Sequence, residues 1–185
     1  MISTGELRKG VIIEVDGQLF NILDYQHLKL GRGSAQVRMK LRDVRSGAVV
    51  EKTVQAGSKF PRVRLDTQTV QFLYAEGDLF HFMNVETYDQ FALDRGQLGD
   101  AVSYLKDGLQ LSVQFYENEP IGVELPITVD LQVEHTEPGF KGDTATGGTK
   151  PARLETGLTV QVPPFVNTGD VIRVDTRDGS YLTRV

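Results

Sequence analysis

The sequence predicts an all-β protein organised as three tandem blocks of short strands, each interpreted as a small β-barrel. Two observations carry this prediction. Segments of alternating apolar and polar residues recur along all 185 residues, and turn residues interrupt them at intervals of roughly 8–12 residues. We expect the blocks to span residues 1–64, 65–127 and 128–185. This spacing alone suits a sandwich as well as a barrel. Blocks this small bury only about 60% of their unfolded surface, so neighbouring blocks should pack together.

The first block opens with a hairpin. Residues 11–15 and 19–23 form two apolar-rich segments on either side of Asp16-Gly17. This pair tolerates the positive φ angles of a two-residue hairpin turn, so it predicts that the two segments pair as antiparallel strands. A further turn at Ser46-Gly47 precedes two short strand segments, residues 48–50 and 52–54.

Between these turns, residues 36–42 alternate strictly in polarity. One side of the segment is apolar and consists of Val37, Met39 and Leu41. The other side is mostly basic and consists of Gln36, Arg38, Lys40 and Arg42. A period of two predicts a strand with one buried and one exposed side. The exposed side would then be a stripe of positive charge.

The second block contains strand segments and one short helix candidate. The predicted strands are residues 69–74, 79–83, 109–116 and 121–125, with turns at 76–78 and 117–120. Residues 100–106 have the composition of a helix about two turns long, which Gly108 would end.

The third block reads as strands around one long loop. The predicted strands are residues 128–133, 158–162 and 171–174, followed by a final hairpin that turns at 177–179 into 181–182. A loop rich in glycine and threonine is predicted over residues 139–150.

Charge is divided unequally along the chain. The net charge is -5, yet residues 1–64 hold twelve Lys or Arg against six Asp or Glu and so carry +6. The remaining residues carry -11. Such asymmetry between two parts of a chain predicts that the basic end contacts a polyanion such as nucleic acid.

The composition excludes several classes of protein. There are no cysteines, which excludes disulfide frameworks, thiolate zinc sites, iron–sulfur clusters and a cysteine nucleophile. No apolar run approaches the roughly 20 residues of a membrane span, and the N-terminus lacks a basic region followed by an apolar stretch. We therefore expect a cytoplasmic protein that contacts no membrane.

Motifs for catalysis or cofactor binding are also missing. The three histidines (His27, His81 and His135) lie in different blocks, without a second ligand at metal-binding spacing. The segment from Gly142 to Gly147 lacks the lysine of a phosphate-binding loop, because Gly148 stands in its place. We expect no enzymatic activity, no cofactor and no metal.

The loop between the second and third strands carries the most unusual local pattern. Arg32 lies between Gly31 and Gly33, and the sequence continues with Ser34 and Ala35. Glycines on both sides leave the backbone free, so the arginine sits on a narrow, adaptable tip. A plain turn with an incidental arginine is the simpler interpretation. The neighbouring cations favour contact of Arg32 with phosphate or a nucleic-acid base instead. These cations are Lys29, Arg38, Lys40 and Arg42.

These features resemble the bacterial elongation factor P family over the whole chain. Residues 31–35 are similar to the family's Gly-Lys-Gly-x-Ala loop, with arginine in place of the usual lysine. The third block follows the family's C-terminal signature at Lys150, Ala152, Gly157, Val160, Val162, Pro163, Val166 and Gly169. Gly142, Asp143 and Thr144 match a further loop of the family.

The resemblance implies an SH3-like N-terminal domain and two OB-fold domains, arranged as an L with the outline of a tRNA. It implies a translation factor that works as a monomer and is no enzyme. The factor would bind both ribosomal subunits between the peptidyl and exit sites and relieve stalling at consecutive prolines.

The resemblance also assigns roles to individual residues. Arg32 would reach the acceptor end of peptidyl-tRNA, supported by the small residues of its loop. The basic residues of the first domain would contact the RNA backbone, and Gly142, Asp143 and Thr144 would lie near messenger RNA in the exit site.

The arginine at the loop tip leaves the modification state open. Some arginine-type members carry rhamnose on this residue, which requires an arginine-modifying enzyme as a partner, and others act unmodified. Two alternatives also remain, namely an elongation-factor-P-like paralogue and a general OB-fold protein that binds single-stranded RNA. The acidic charge of the second and third blocks disfavours the RNA-binding alternative, which needs a continuous basic groove.

Overall fold

The computed structural model describes residues 1–29, 31–139 and 148–185. These residues fold into antiparallel sheets, as the alternation of the sequence predicts. The first sheet has the order β2-β3-β4-β5, and a two-stranded pair, β1-β6, accompanies it. Its strands are β1 (Ile2–Ser3), β2 (Ile12–Val15), β3 (Gln18–Leu28), β4 (Gln36–Asp43), β5 (Val49–Gln55) and β6 (Lys59–Phe60).

Alternation along β4 builds the core of this first sheet. Its inward residues are fully buried, namely Val37, Met39 and Leu41. They pack with Phe20 and Ile22 of β3. The predicted turn between β2 and β3 is confirmed, because Asp16 and Gly17 both adopt positive φ, at 52° and 76°. Both angles match the right-handed twist of paired strands.

The second sheet has the order β11-β10-β7-β8-β9. Its strands are β7 (Asp66–Glu76), β8 (Leu79–Asn84), β9 (Gln90–Asp94), β10 (Gln110–Tyr116) and β11 (Glu119–Glu124). The alternation of β7 and β8 buries Phe72, Phe80 and Phe82, and the ring of Phe72 contacts the other two. The sequence analysis assigned no strand to β9, which is only five residues long.

The predicted helix over residues 100–106 is wrong in type and in bounds. A single α-helical turn, α1 (Arg95–Leu98), begins earlier, at a capping box. In it the Gln97 N–H donates to Asp94 Oδ1 at 2.8 Å, and the Asp94 N–H donates to Gln97 Oε1 at 3.0 Å. Gly99 at φ 56° ends that turn, and a 3-10 helix follows over Gly99–Tyr104. A two-turn helix is too short to be stable by itself, so tertiary packing decides the conformation.

The third sheet has the order β14-β13-β12-β15-β16. Its strands are β12 (Thr128–Thr136), β13 (Lys150–Leu154), β14 (Thr159–Val162), β15 (Val171–Asp175) and β16 (Tyr181–Arg184). The sequence analysis placed no strand at β13 and assigned its first residue, Lys150, to the loop predicted over residues 139–150. Proline disfavours a central strand because it lacks the N–H that such a strand donates. Pro151 lies beyond the last β12 residue that pairs with β13, and its carbonyl accepts a hydrogen bond from Thr136 Oγ1 at 2.9 Å.

Contacts divide the chain into two units. The N-terminal unit comprises Met1–Asp66 and Phe115–Gly122, and the C-terminal unit comprises Thr67–Gln114 and Val123–Val185. Within the C-terminal unit, Tyr104 of the second block packs into the core of the third sheet, and Thr156 Oγ1 donates a hydrogen bond to Ser103 O at 2.6 Å. The second and third blocks therefore pack together, and the domain boundaries predicted from the sequence stay a prediction.

The tip of the β10–β11 hairpin belongs to the N-terminal unit. Arg45, in the turn after β4, donates from Nη2 to Oε2 of Glu119 at 3.1 Å. Both side chains are about half exposed, so the pair contributes little more than about 1 kcal/mol. Among the helices that the structure describes, none is long and apolar enough to cross a bilayer.

Candidate nucleic-acid interface

The loop between β3 and β4 carries Arg32 at an exposed position. Gly31 adopts a φ of 51°, and a Cβ at this position would meet no heavy atom within 4 Å. The base of the loop is fixed by a hydrogen bond from the Ala56 N–H to Ala35 O at 2.9 Å. Within the described part of the chain, Arg32 takes part in no ion pair, so its guanidinium is free to bind a ligand.

The other predicted loop residues surround Arg32 without covering it. Lys29, Gly33, Ser34 and Ala35 are exposed. The small side chains of Ser34 and Ala35, and the absence of one at Gly33, leave room for close approach of a large partner to the arginine. The prediction that these residues form a thin support for Arg32 is therefore compatible with the geometry and stays a prediction of function.

The outward side of β4 forms a basic face, defined here as Arg38, Lys40 and Arg42. All three side chains are exposed, while the residues between them are buried. The ion pairs of the described residues include none of these three cations. The predicted basic stripe therefore exists as one contiguous row, and it leads away from the Arg32 loop along the strand.

Cross-strand pairing gives each cation of the basic face a defined pair of neighbours. Arg38 lies opposite Gln26 of β3 and Thr53 of β5, and these two neighbours are uncharged. Residues directly opposite one another share the same side of a sheet and lie about 5 Å apart at Cβ. Lys40 instead lies opposite Asp24 and Glu51.

Asp24 is held by a second cation as well. Lys9 Nζ lies 3.2 Å from Asp24 Oδ1. The hydrogen bond from Lys9 lowers the pKa of Asp24, with smaller contributions from the Tyr25 N–H and the charge of Lys40. Sequence reasoning missed these acidic neighbours, because only the register of the strands brings them beside Lys40.

Two further arginines add positive charge to the N-terminal unit. A cavity of about 650 Å³ in this unit has Arg8, Arg62 and Tyr25 among its lining residues. Ile13 of β2 forms an isolated bridge with Arg62, which fixes the backbone of that arginine. The sequence analysis counted both arginines in the basic segment and assigned neither to a site, because no local pattern marks them.

The histidines lie apart from one another. His27 packs edge-on against Tyr25, with ring centroids 6.0 Å apart, and His81 stacks on Tyr74 at 4.4 Å. His135 Nε2 lies 3.3 Å from Glu137 Oε1. In the described ranges, no group of three His, Asp or Glu side chains is placed to hold a metal ion. The predicted messenger RNA loop, Gly142, Asp143 and Thr144, lies outside the described residues.

The described residues define an all-β protein of several small sheets, in which the N-terminal sheet carries a basic row and the part beyond residue 64 carries the acidic excess. Family models match the chain along nearly its full length. The elongation factor P KOW-like domain matches residues 3–60, the elongation factor P OB domain residues 65–123, and the elongation factor P C-terminal domain residues 129–184. The chain therefore belongs to the elongation factor P family.

Relatives of known name agree with this assignment. The chain is 52% identical over 185 residues to elongation factor P of Pelotomaculum thermopropionicum, with 100% of both chains covered. It is 53% identical to elongation factor P of Carboxydothermus hydrogenoformans, again with 100% of both covered. The protein is thus similar over its whole length to translation elongation factors, and its own role is in translation elongation.

A solved structure supports the fold. Eukaryotic translation initiation factor 5A from Methanococcus jannaschii superimposes with a TM-score of 0.55 over 67% of this chain and 93% of that chain. Its sequence identity is 21%, so the likeness concerns the fold alone. The predicted all-β fold with KOW-like and OB domains is confirmed.

Proposed function

We propose that this elongation factor binds the ribosome between the peptidyl and exit sites and stimulates peptide-bond formation at consecutive prolines. The observation that carries the proposal is the exposed Arg32, which forms no ion pair with any described residue, at the end of a hairpin whose outer side is basic. A cation on a narrow tip can enter a crowded RNA site, and the strand behind it can follow the RNA backbone. The factor would act as a cytoplasmic monomer.

The proposed action of Arg32 is to position the acceptor end of peptidyl-tRNA. A guanidinium remains protonated at any physiological pH, so it can donate hydrogen bonds but cannot transfer a proton. Proline is restricted at φ, which makes alignment with the peptidyl ester difficult. Fixing the reacting groups can lower the barrier by several kcal/mol, up to about 7–11 kcal/mol in the best intramolecular cases. On this proposal the protein has no catalytic residue of its own.

The remaining surface would orient the factor on its partners. The basic face would lie along the acceptor arm of the tRNA, and Lys29 would contact the RNA backbone beside the loop. Gly142, Asp143 and Thr144 would lie near messenger RNA. The -11 charge beyond residue 64 would limit nonspecific binding to ribosomal RNA.

The test is synthesis of a Pro-Pro-Pro peptide in a purified bacterial translation system. We expect unmodified wild-type protein to accelerate synthesis and Arg32→Ala to lose the acceleration. Arg32→Lys keeps the charge but loses the planar fork of donors, so we expect an intermediate rate. A peptide without proline serves as the control template, on which all three proteins should perform equally.

Two other outcomes have defined meanings. Equal acceleration by wild type and Arg32→Ala would contradict the positioning role. Failure of unmodified wild type, together with activity of protein purified from its native source, would indicate that Arg32 requires a modification such as rhamnosylation. Mass spectrometry of the tryptic peptide containing Arg32 would then identify the added group and imply a modifying enzyme as partner.

A further inference from the structure

The three cations of the basic face occupy different electrostatic surroundings. Arg38 lies between Gln26 and Thr53, and Arg42 lies between Asn21 and Val49. These four neighbours carry no charge, so each of these two rows across β3, β4 and β5 has a net charge of one positive unit. Like Lys40, the two arginine side chains are exposed and take part in no ion pair among the described residues, so the three rows differ in their cross-strand neighbours.

The row of Lys40 carries no excess positive charge. Lys40 lies between Asp24 and Glu51, which gives the row one positive and two negative charges. Lys9, which pairs with Asp24 at 3.2 Å, brings the local sum to zero. Opposite charges on directly paired strands attract one another. The two carboxylates therefore reduce the attraction that the ammonium of Lys40 exerts on an external phosphate.

We propose that Arg38 and Arg42 bind RNA phosphates and that Lys40 does not, its charge being balanced within the sheet. This inference rests on the proposed contact with RNA and removes one of the contacts that the sequence predicts. The arginines are four positions apart on β4, which places their Cα atoms about 13 Å apart along the strand. They would therefore bind two separate phosphates, each through the paired donors of a guanidinium.

The distinction between Lys40 and the arginines can be tested with three substitutions that change the net charge equally. Arg38→Gln, Arg42→Gln and Lys40→Gln each remove one positive charge and leave the same shorter, polar side chain. The measurement is the affinity for ribosomes carrying peptidyl-tRNA at a Pro-Pro-Pro codon run, at several concentrations of monovalent salt.

We expect Arg38→Gln and Arg42→Gln to weaken binding about tenfold or more at moderate salt. Each should also reduce the slope of log K against log salt concentration by about 0.7–0.9, the loss of one phosphate contact. Lys40→Gln should change the affinity by less than about twofold and leave the slope unaltered. A loss in Lys40→Gln as large as that in Arg38→Gln would overturn the proposal.

Removing an acidic neighbour provides a second readout. In the Glu51→Gln background the charge of Lys40 is no longer balanced, so Lys40→Gln should now weaken binding several-fold and reduce the salt slope. A merely structural role of Lys40 would not produce this dependence on Glu51. Independence of the two substitutions would contradict the proposal.

The failure of this inference is distinguishable from failure of the proposed function. If all three Gln variants bind as wild type does while Arg32→Ala abolishes peptide-bond stimulation, the basic face does not contact RNA and the role of Arg32 stands. If wild type itself neither binds these ribosomes nor stimulates synthesis in either modification state, both proposals are wrong.

Discussion

At the scale of single residues, Asp175 has the most strongly perturbed environment among the described carboxylates. It ends β15 with a side chain that is 9% exposed, and Oδ1 accepts the Arg177 N–H at 2.8 Å. Arg177 Nη2 lies 2.7 Å from Oδ2. Hydrogen bonds from the Arg177 side chain and then from its backbone lower the pKa of Asp175 to about 2.

This perturbation predicts a pH-dependent contribution to stability. The pKa of an aspartate in an unfolded chain is about 3.9. Because the pKa of Asp175 is lower in the folded chain, its ionised form stabilises the fold above about pH 4. That stability is lost as the pH falls toward 2. We expect Asp175→Asn to have a lower urea midpoint than wild type at pH 7, with the difference shrinking between pH 4 and 2. Asp107→Asn, at an exposed carboxylate, serves as control. A difference that stays constant across this range would contradict the assignment.

At the scale of elements, β4 combines the two properties that the N-terminal sheet requires. Its inward residues form the core and its outward residues form the basic face, so one strand couples stability to binding. Because the two sets of side chains point in opposite directions, substitutions on one side should leave the property of the other side intact.

Neighbouring substitutions on β4 separate these properties. Leu41 is 0% exposed, so Leu41→Ala should remove about 2–5 kcal/mol from the stability of this sheet, through lost burial and the remaining cavity. Arg42→Ala, at the next position, should change it by less than about 0.5 kcal/mol. The measurement is native-state hydrogen exchange of amides in β3, β4 and β5. Equal effects of the two substitutions would show that the strand does not divide its roles in this way.

At the scale of the whole molecule, Tyr104 connects the segment between β9 and β10 of the second sheet to the core of the third sheet. It belongs to the segment after α1, is 7% exposed, and packs with Val129, Leu131 and Val174 in the core of the third sheet. Burial raises the pKa of its hydroxyl, and the charges of Asp100, Asp178 and Asp175 raise it further. One aromatic side chain thus links the folding of both sheets of the C-terminal unit.

This link predicts cooperative loss of stability. Tyr104→Ala should lower the free energy of opening in both β8 and β15 by about 3–5 kcal/mol, the usual range for truncation of a buried aromatic residue. Tyr104→Phe keeps the ring and should have a much smaller effect. Hydrogen exchange resolved by residue measures both strands at once, with β4 of the N-terminal unit as an internal reference. Destabilisation confined to β8 would contradict the coupling.

Strand positions and turns could be predicted because they depend on local pattern. The alternation over residues 36–42 reappears as β4, and Asp16-Gly17 adopts the turn that its composition favours. The prediction failed at Gly99–Tyr104 and at β13, where packing of Tyr104 and the pairing of a proline-containing strand override local preference. For the candidate site, the exposed Arg32 and the basic stripe were predicted, whereas Arg8 and Arg62 carried no local signal.

Residue types and their spacing along the chain are enough to predict the all-β class, the family and the cations that could contact RNA. They do not show which charges are neighbours, because that depends on how the strands pair. Asp24 and Glu51 lie 16 and 11 residues from Lys40 along the chain, and only the register of β3 and β5 against β4 places them beside it. The register of these strands follows from the fit of their buried side chains. No local pattern around Lys40 therefore reveals that its charge is balanced, or that the charges of Arg38 and Arg42 are not.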